Sequence, residues 1–247
     1  MKPGFAGKTD TGMVRSVNQD SYYIDAPQGR FFVVADGMGG HAGGQEASQI
    51  ATDTIRTYLE EHWDSSVASH ELLEKAIFAA NLKIIDDQQK HPERSDMGTT
   101  VVVVMFRNSQ QWYGSVGDSR LYRLRTDRLE QLSEDQTWVA RALKMGDLTL
   151  EEARIHPWRH VLSQCLGRRD LQTVEMHCIE VNAGDCLLLC SDGLTEEVSD
   201  EAIADCLRST DTCEEAATAL IEAAKFNGGS DNITTVLISV NGESVNS

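Results

Sequence analysis

Basic residues are scarce in this chain. Its 247 residues include 22 lysines and arginines against 39 aspartates and glutamates, a formal charge of −17. Such a surface repels nucleic acid and anionic lipid, so neither a nucleic-acid footprint nor a membrane-surface partner is expected. Long apolar runs are missing too. The longest, VVVVMF at 101–106, is far too short to span a bilayer core of about 30 Å. The opening MKPGFAGKTD has no apolar stretch that could form a signal-peptide core. A soluble, cytoplasmic protein is expected. Cysteine is absent from the first half, and the six present, Cys165, Cys178, Cys186, Cys190, Cys206 and Cys213, include no C-x-x-C pair. Reduced thiols packed as small hydrophobes are expected in place of zinc or disulfides, with Cys186 and Cys190 on the same side of a strand across LLL. There is no repeat or linker, so residues 1–240 read as a single domain with a polar tail at 241–247.

Apolar positions Ala47, Ile50, Ala51, Ile55, Tyr58 and Leu59 fall at helical spacing, and Leu72, Leu73, Ala76, Ile77, Ala80 and Ile84 mark a second helix directly after the first. Short β-like runs follow at 99–106, 111–116, 120–125 and 129–132, with connections too short for crossover helices, so they must pair antiparallel. Thr149 and Glu152 fit a capping box opening a helical stretch to about residue 166. Strands return at 173–181 and 185–190, helices at 200–207 and 213–226, and a last strand at 233–240. Hairpin strands with helices grouped between them indicate an α+β fold.

The stretch FFVVADGMGGHAGG at 31–44 runs a buried strand into an aspartate and then into glycines. Gly37, Gly39 and Ala42 satisfy G-x-G-x-x-A, but Asp36 stands where a carboxylate would face a pyrophosphate, and helix follows helix where a dinucleotide fold needs strand–helix–strand. A P-loop lacks its Gly-Lys-Ser/Thr. The alternative is a carboxylate aimed at a metal. The same grammar of apolar strand and aspartate recurs in YGSVGDSR at Asp118, LLLCSDGL at Asp192 and GGSDNITTVLISV at Asp231. Aspartate is the shortest carboxylate, so at the end of a rigid strand it offers hard oxygen to Mg²⁺ or Mn²⁺ with few torsions to freeze.

The segments RSVNQD at 15–20, ADGMGGHAGG at 35–44, DMGTT at 96–100, VGDSR at 116–120, CSDGL at 190–194 and GGSDN at 228–232 together resemble the metal-dependent protein phosphatase family acting on phosphoserine and phosphothreonine. The likeness spans nearly the whole chain, in order. Among members, it is similar to the small cyanobacterial phosphatases associated with the phosphorylated nitrogen signal protein PII. The resemblance implies a four-layer α-β-β-α sandwich of two antiparallel sheets flanked by helices, with a binuclear Mg²⁺ or Mn²⁺ site at one end. It puts Asp36 between the two metals, the Gly37 carbonyl on one, Asp192 and Asp231 on the other, Asp20 on a metal through water, and Asp118 with Asp192 at a third, weaker metal. Gln19 departs from the glutamate found there in many eukaryotic members. The family likeness also makes residues 136–170 a flap-like insert beside the site.

Hydrolysing a phosphate monoester needs a strong nucleophile and neutralisation of a dianion, and two metals can supply both by activating a shared water, without a covalent phospho-enzyme. Carboxylates alone repel phosphate, so a cation must offset them, and the guanidinium of Arg15 can grip two phosphate oxygens. His41, in the glycine loop, has the right ordinary pKa to protonate the departing seryl or threonyl oxygen. His156 and His160, four apart with Pro157 between them, read as structural or surface residues, and Arg120 as a support for the Asp118 loop. The expected partners are phosphoserine and phosphothreonine proteins, PII among them, met by a monomer. The competing function is a phosphatase-like scaffold that binds phosphoproteins without turnover; such a scaffold should lack Asp36, Asp192 or Asp231, and all three are present.

Overall fold

The computed structural model describes residues 4–40 and 43–240. In chain order the strands and helices are β1 (Gly4–Asp10), β2 (Asp20–Ile24), β3 (Phe31–Met38), α1 (Gly43–His62), α2 (Ser69–Lys90), β4 (Gly98–Thr99), β5 (Val101–Arg107), β6 (Gln110–Val116), β7 (Arg120–Arg125), β8 (Arg128–Gln131), α3 (Trp138–Met145), α4 (Leu150–Ile155), β9 (Met176–Ile179), β10 (Cys186–Cys190), α5 (Asp192–Thr195), α6 (Asp200–Ser209), α7 (Cys213–Asn227) and β11 (Ile233–Ser239). They build two sheets, one ordered β1-β11-β10-β7-β8 and the other β2-β3-β5-β6-β9, with the short β4 on the end of β3. Every strand pairing in both is antiparallel.

Side-chain alternation along the strands creates the layers. In β3, Phe31, Val33 and Ala35 face α1 and α2 together with Val101, Val103 and Met105 of β5. Their neighbours Phe32, Val34, Val102 and Val104 face the opposite way and meet Leu187, Leu189, Val236 and Ile238 of the other sheet. That sheet's far face, with Tyr122, Leu188, Cys190 and Leu237, is covered by α6 and α7. Both faces of the central strands are therefore buried, which is why VVVVM and LLLC are continuous apolar runs without polar alternation. The result is the expected α+β sandwich of four layers. Cys186 and Cys190 do share one face, and all six cysteines are free thiols.

Several boundaries differ from the sequence expectation. Strands β1 and β2 carry no strong alternation and were not anticipated. Strand β3 does not end on Asp36 but continues to Met38, because Asp20 and then β4 pair with its last residues. The helical stretch from Thr149 opens with the expected capping box, in which the Glu152 side chain accepts from the Thr149 N–H and the Thr149 hydroxyl accepts from the Glu152 N–H. It stops at Ile155, well short of residue 166, since Pro157 disfavours helix in the residue before it and His156 is extended at φ −67°, ψ 135°. Helix α3 was missed; it is set by the Thr137 N-cap and by Gly146 at φ 79°. Among the described residues no helix is long and apolar enough to cross a membrane.

Candidate functional site

The aspartates are gathered at one end of the sandwich by strand register. Asp20 and Asp36 are paired residues on β2 and β3 of one sheet. Asp192 follows β10 and opens α5, and Asp231 lies two residues before β11, both on the other sheet. Asp118 sits in the turn that carries the chain from β6 in one sheet to β7 in the other. Arg15, Gln19, Asp36, Gly37, Asp118, His160, Asp192 and Asp231 line a cleft of about 310 Å³. Of the residues singled out in the sequence, Arg15, Asp36, Gly37, Asp118, Asp192 and Asp231 line this cleft, and Asp20 lies behind it as the strand partner of Asp36. His41 lies outside the described residues.

Local sequence explains the placement. Gly37 must be glycine because a Cβ there would stand 1.9 Å from the Gly44 carbonyl oxygen, where α1 begins against β3. The Thr100 hydroxyl accepts from the Asp36 N–H at 3.0 Å and shares a 2.6 Å hydrogen bond with Ser119, so one buried residue ties β3 to the Asp118 turn. Asn232 plays the matching part opposite. Its Oδ1 accepts from Gln19 N–H at 2.7 Å, and its Nδ2 donates to the Thr11 and Val17 carbonyls, which fixes the loop carrying Arg15. That is the structural reason for asparagine in SDN; Asn18 of NQD instead donates to the Thr9 hydroxyl and accepts from the Asp20 N–H.

The carboxylates are poorly compensated. Asp20 accepts from the Ser191 and Thr234 hydroxyls at 2.7 Å each through Oδ2, but its Oδ1 is buried without a partner. Loss of water is the main cause that pushes its pKa up to about 7, with those hydroxyls pulling down and the Asp192 and Asp231 charges pushing up. Asp118 is raised to about 8, first by burial and then by Asp192 and Asp135. Asp36 is raised well above the usual range by burial, then by Asp20 and Asp192. Asp192 is raised by burial, opposed by a hydrogen bond with Asp36, and its Oδ1 also lacks a partner. Arg15 is the exception to this excess of negative charge. Its Nη2 donates to Asp231 Oδ2 at 2.7 Å while half of its side chain stays exposed.

Two residues at the cleft were missed. His160 is exposed, in keeping with its reading as a surface residue, but it also lines the cleft and contacts Glu196. Ligand atoms of His160, Asp192 and Glu196 lie within 4.8 Å of one another. Asp192 and Glu196 are four residues apart across the single turn of α5, a spacing readable from the sequence; His160 comes from the insert and has no such signal. Burial, then the Asp192 charge, raises Glu196 to about 7, while burial lowers His160. Arg120 does support the Asp118 turn, since its guanidinium grips Asp135 at 2.7–3.2 Å.

A sandwich with convergent aspartates at one end defines a class, and the comparisons give the same one. The family model for Protein phosphatase 2C matches residues 13–225, and the chain belongs to that family. It is 38% identical over 240 residues to the serine/threonine protein phosphatase PstP of Mycobacterium tuberculosis, covering 96% of this chain but 45% of PstP. It is 34% identical over 242 residues to the serine/threonine phosphatase Stp of Listeria innocua, covering 95% of this chain and 94% of Stp. The chain therefore spans about half of PstP and nearly all of Stp. Among solved structures, that of M. tuberculosis PstP matches with a TM-score of 0.88 at 35% identity, over 97% of this chain and 99% of that one. A structure of the PstP catalytic domain in complex with two manganese ions matches with a TM-score of 0.85 at 34% identity, over 97% and 99%.

Proposed function

We propose that this protein hydrolyses phosphoserine and phosphothreonine in proteins, using two divalent cations, Mg²⁺ or Mn²⁺, with a third bound more weakly. The observation that carries the reading is the excess of carboxylate at the cleft. Four aspartates line it and Asp20 is paired with Asp36 beside them, with oxygens of Asp20 and Asp192 buried without partners, and with Arg15 already paired to Asp231. Burying so many carboxylates unneutralised is unfavourable, and an all-oxygen set suits a hard divalent cation. The residues present fit such ions. Asp36 would lie between the first two, with the Gly37 carbonyl on one and Asp192 and Asp231 on the other, Asp20 acting through water, and Asp118 with Asp192 on the third.

When bound, the ions make water nucleophilic near neutral pH and offset the phosphate dianion. The chain's own residues do the rest. Arg15, half-exposed at the mouth, would turn from Asp231 to the non-reacting phosphate oxygens of a bound substrate. Its fork then orients the phosphorus. The buried frame of Ser191, Thr234 and Thr100 keeps Asp20 and Asp36 from relaxing toward solvent. His41 supplies the proton to the departing alkoxide, and water attacks phosphorus directly without a phospho-enzyme. The structures of relatives with the same fold, one of them holding two manganese ions, support this reading.

The substrates are phosphoproteins, and the motif likeness to PII-associated phosphatases makes phosphorylated PII the first to try. Residues 136–170 act as the flap beside the site, on a monomeric cytoplasmic protein whose residues 1–240 form one domain. The test is turnover of a phosphoserine peptide, phospho-PII and an aryl phosphate by the purified protein with Mn²⁺, Mg²⁺ or chelator. Hydrolysis that persists after rigorous metal removal, or a trapped phospho-aspartate or phospho-histidine, overturns the mechanism. Tight phosphopeptide binding with no turnover at any metal concentration replaces it with the scaffold.

A further inference from the structure

Asp118 is the cleft aspartate carried on the turn that crosses from one sheet to the other, between β6 and β7. Gly117, beside it, has φ +103°, and a Cβ there would meet Thr100 Cγ2 at 2.7 Å, so the turn is pressed against the residue that holds Asp36. On its other side stands Gln136. The Gln136 N–H donates to the Gly117 carbonyl at 2.9 Å, and Gln136 Oε1 accepts from the Gly117 N–H at 3.1 Å. Gln136 Nε2 donates to the Ser115 carbonyl at 3.4 Å. Both polar groups of Gly117 are thus bound by one residue.

The same residue holds the insert. The Gln136 carbonyl accepts from both the N–H and the hydroxyl of Ser163 at 2.8 Å each. Next to it Thr137 bridges to Leu162, and the Trp138 N–H donates to the Val161 carbonyl at 2.7 Å, so residues 136–138 and 161–163 form the stem on which α3 and α4 stand. The adjacent Asp135 is gripped by Arg120 on the far side of the Asp118 turn. Leu162 and His160, which line the cleft, belong to this stem or border it.

We infer that Gln136 is a positioning residue that clamps the Asp118 turn to the stem of the insert, so that the Asp118 carboxylate is presented to the cleft only while the insert is seated. The inference rests on the reading of Asp118 as a cation ligand. Residues that orient a ligand without touching the ion commonly change its affinity by roughly 10- to 100-fold. A consequence is that whatever displaces the insert loosens the Asp118 site, linking substrate arrival to cation occupancy.

The test is Mn²⁺ calorimetry on the full chain, with the Mn²⁺ concentration giving half-maximal aryl phosphate hydrolysis as a second readout. Asp118→Ala is expected to abolish the weakest binding step and leave the tighter ones. Gln136→Ala and the similarly sized Gln136→Met should both weaken that step by roughly tenfold and raise the Mn²⁺ requirement, with the tight steps unchanged. Gln136→Glu keeps an acceptor for the Gly117 N–H and should stay closer to wild type, which serves if the truncated variant does not fold. Gln136→Met behaving as wild type overturns the clamp, because filling space would then suffice. Unchanged isotherms with a higher KM for a phosphopeptide alone also overturn it and leave Gln136 as part of the substrate wall. If Asp118→Ala itself leaves every binding step intact, the reading of Asp118 fails first and the clamp falls with it.

Discussion

The floor of the cleft and the insert above it are built to opposite specifications. The floor sets its carboxylates on strands or within two residues of them and locks them with hydroxyls that are almost wholly buried: Thr100, Ser119, Ser191 and Thr234 are 0–2% exposed. Between residues 138 and 161 no described residue belongs to any of the three core clusters, and Met145, Leu150, Ile155 and Trp158 are more than half exposed. Trp138 stacks on His156, and Trp158 meets both rings edge-on, so the aromatics pack on one another and not on the core clusters. Chemistry that tolerates little misplacement belongs on rigid elements, and the sparse packing under the insert leaves it the region that opens at lowest cost.

Removing a floor carboxylate should have the largest effect of any single change. Asp36→Ala or Asp192→Ala should cut phosphatase turnover by more than about 100-fold, beyond what loss of an indirect support costs. Melting temperature in chelator should hold or rise, because each change relieves carboxylate repulsion; near-normal kcat for Asp36→Ala removes it from between the metals. His41→Ala should lower kcat on a phosphoserine peptide by roughly 10²-fold with a clearly smaller loss on p-nitrophenyl phosphate, whose leaving group needs no proton. Equal losses on both substrates would make His41 a loop-packing residue. Arg15→Ala should raise KM for a phosphopeptide on the order of tenfold and change kcat less, since charged hydrogen bonds to non-reacting oxygens exist in ground and transition states alike. A collapsed kcat at unchanged KM places Arg15 in the transition state.

The pH response separates the two regions by charge. Asp20 and Asp118 hold protons in the folded metal-free chain at values, about 7 and about 8, well above those of unfolded carboxyls. A raised carboxyl stabilises fully below the unfolded pKa near 4, and that contribution is lost as pH rises through the folded pKa. Melting temperature in chelator should therefore fall between about pH 5 and about pH 8, and saturating Mn²⁺ should flatten the decline. A flat profile in chelator means the floor is neutralised by something else. The smallest effect belongs to the insert. Trp158→Ala should change stability by no more than about 0.5 kcal/mol and leave aryl phosphate hydrolysis alone, while altering KM for a protein substrate. Loss of stability in thermal melts would show the aromatic cluster to be core after all.

Legibility followed the same divide. The continuous runs 31–35, 101–105 and 187–190 announced strands buried on both faces, and the Thr149–Glu152 capping box marked a helix start to the residue, because such signals are local. Asp36, Asp118, Asp192 and Asp231 could be singled out because each adjoins an apolar strand, and a strand end is a predictable place in a sandwich. Helix α3 and His160 escaped, since the 138–161 stretch lacks the core-facing periodicity that marks a helix in sequence; Glu196 carried a signal, its four-residue spacing from Asp192 on α5.

What the sequence alone determined is the set of chemical groups and the two-sheet frame that could hold them, because apolar periodicity and aspartate at strand ends are properties of short segments. Only the tertiary structure decided which groups meet. The pairing of Asp20 with Asp36, the bond from Arg15 to Asp231 across 216 residues, and the grip of Gln136 on Gly117 and Ser163 all depend on strand register and on the stacking of one sheet over the other. Those are set by the summed burial of three core clusters, and no short segment carries that sum.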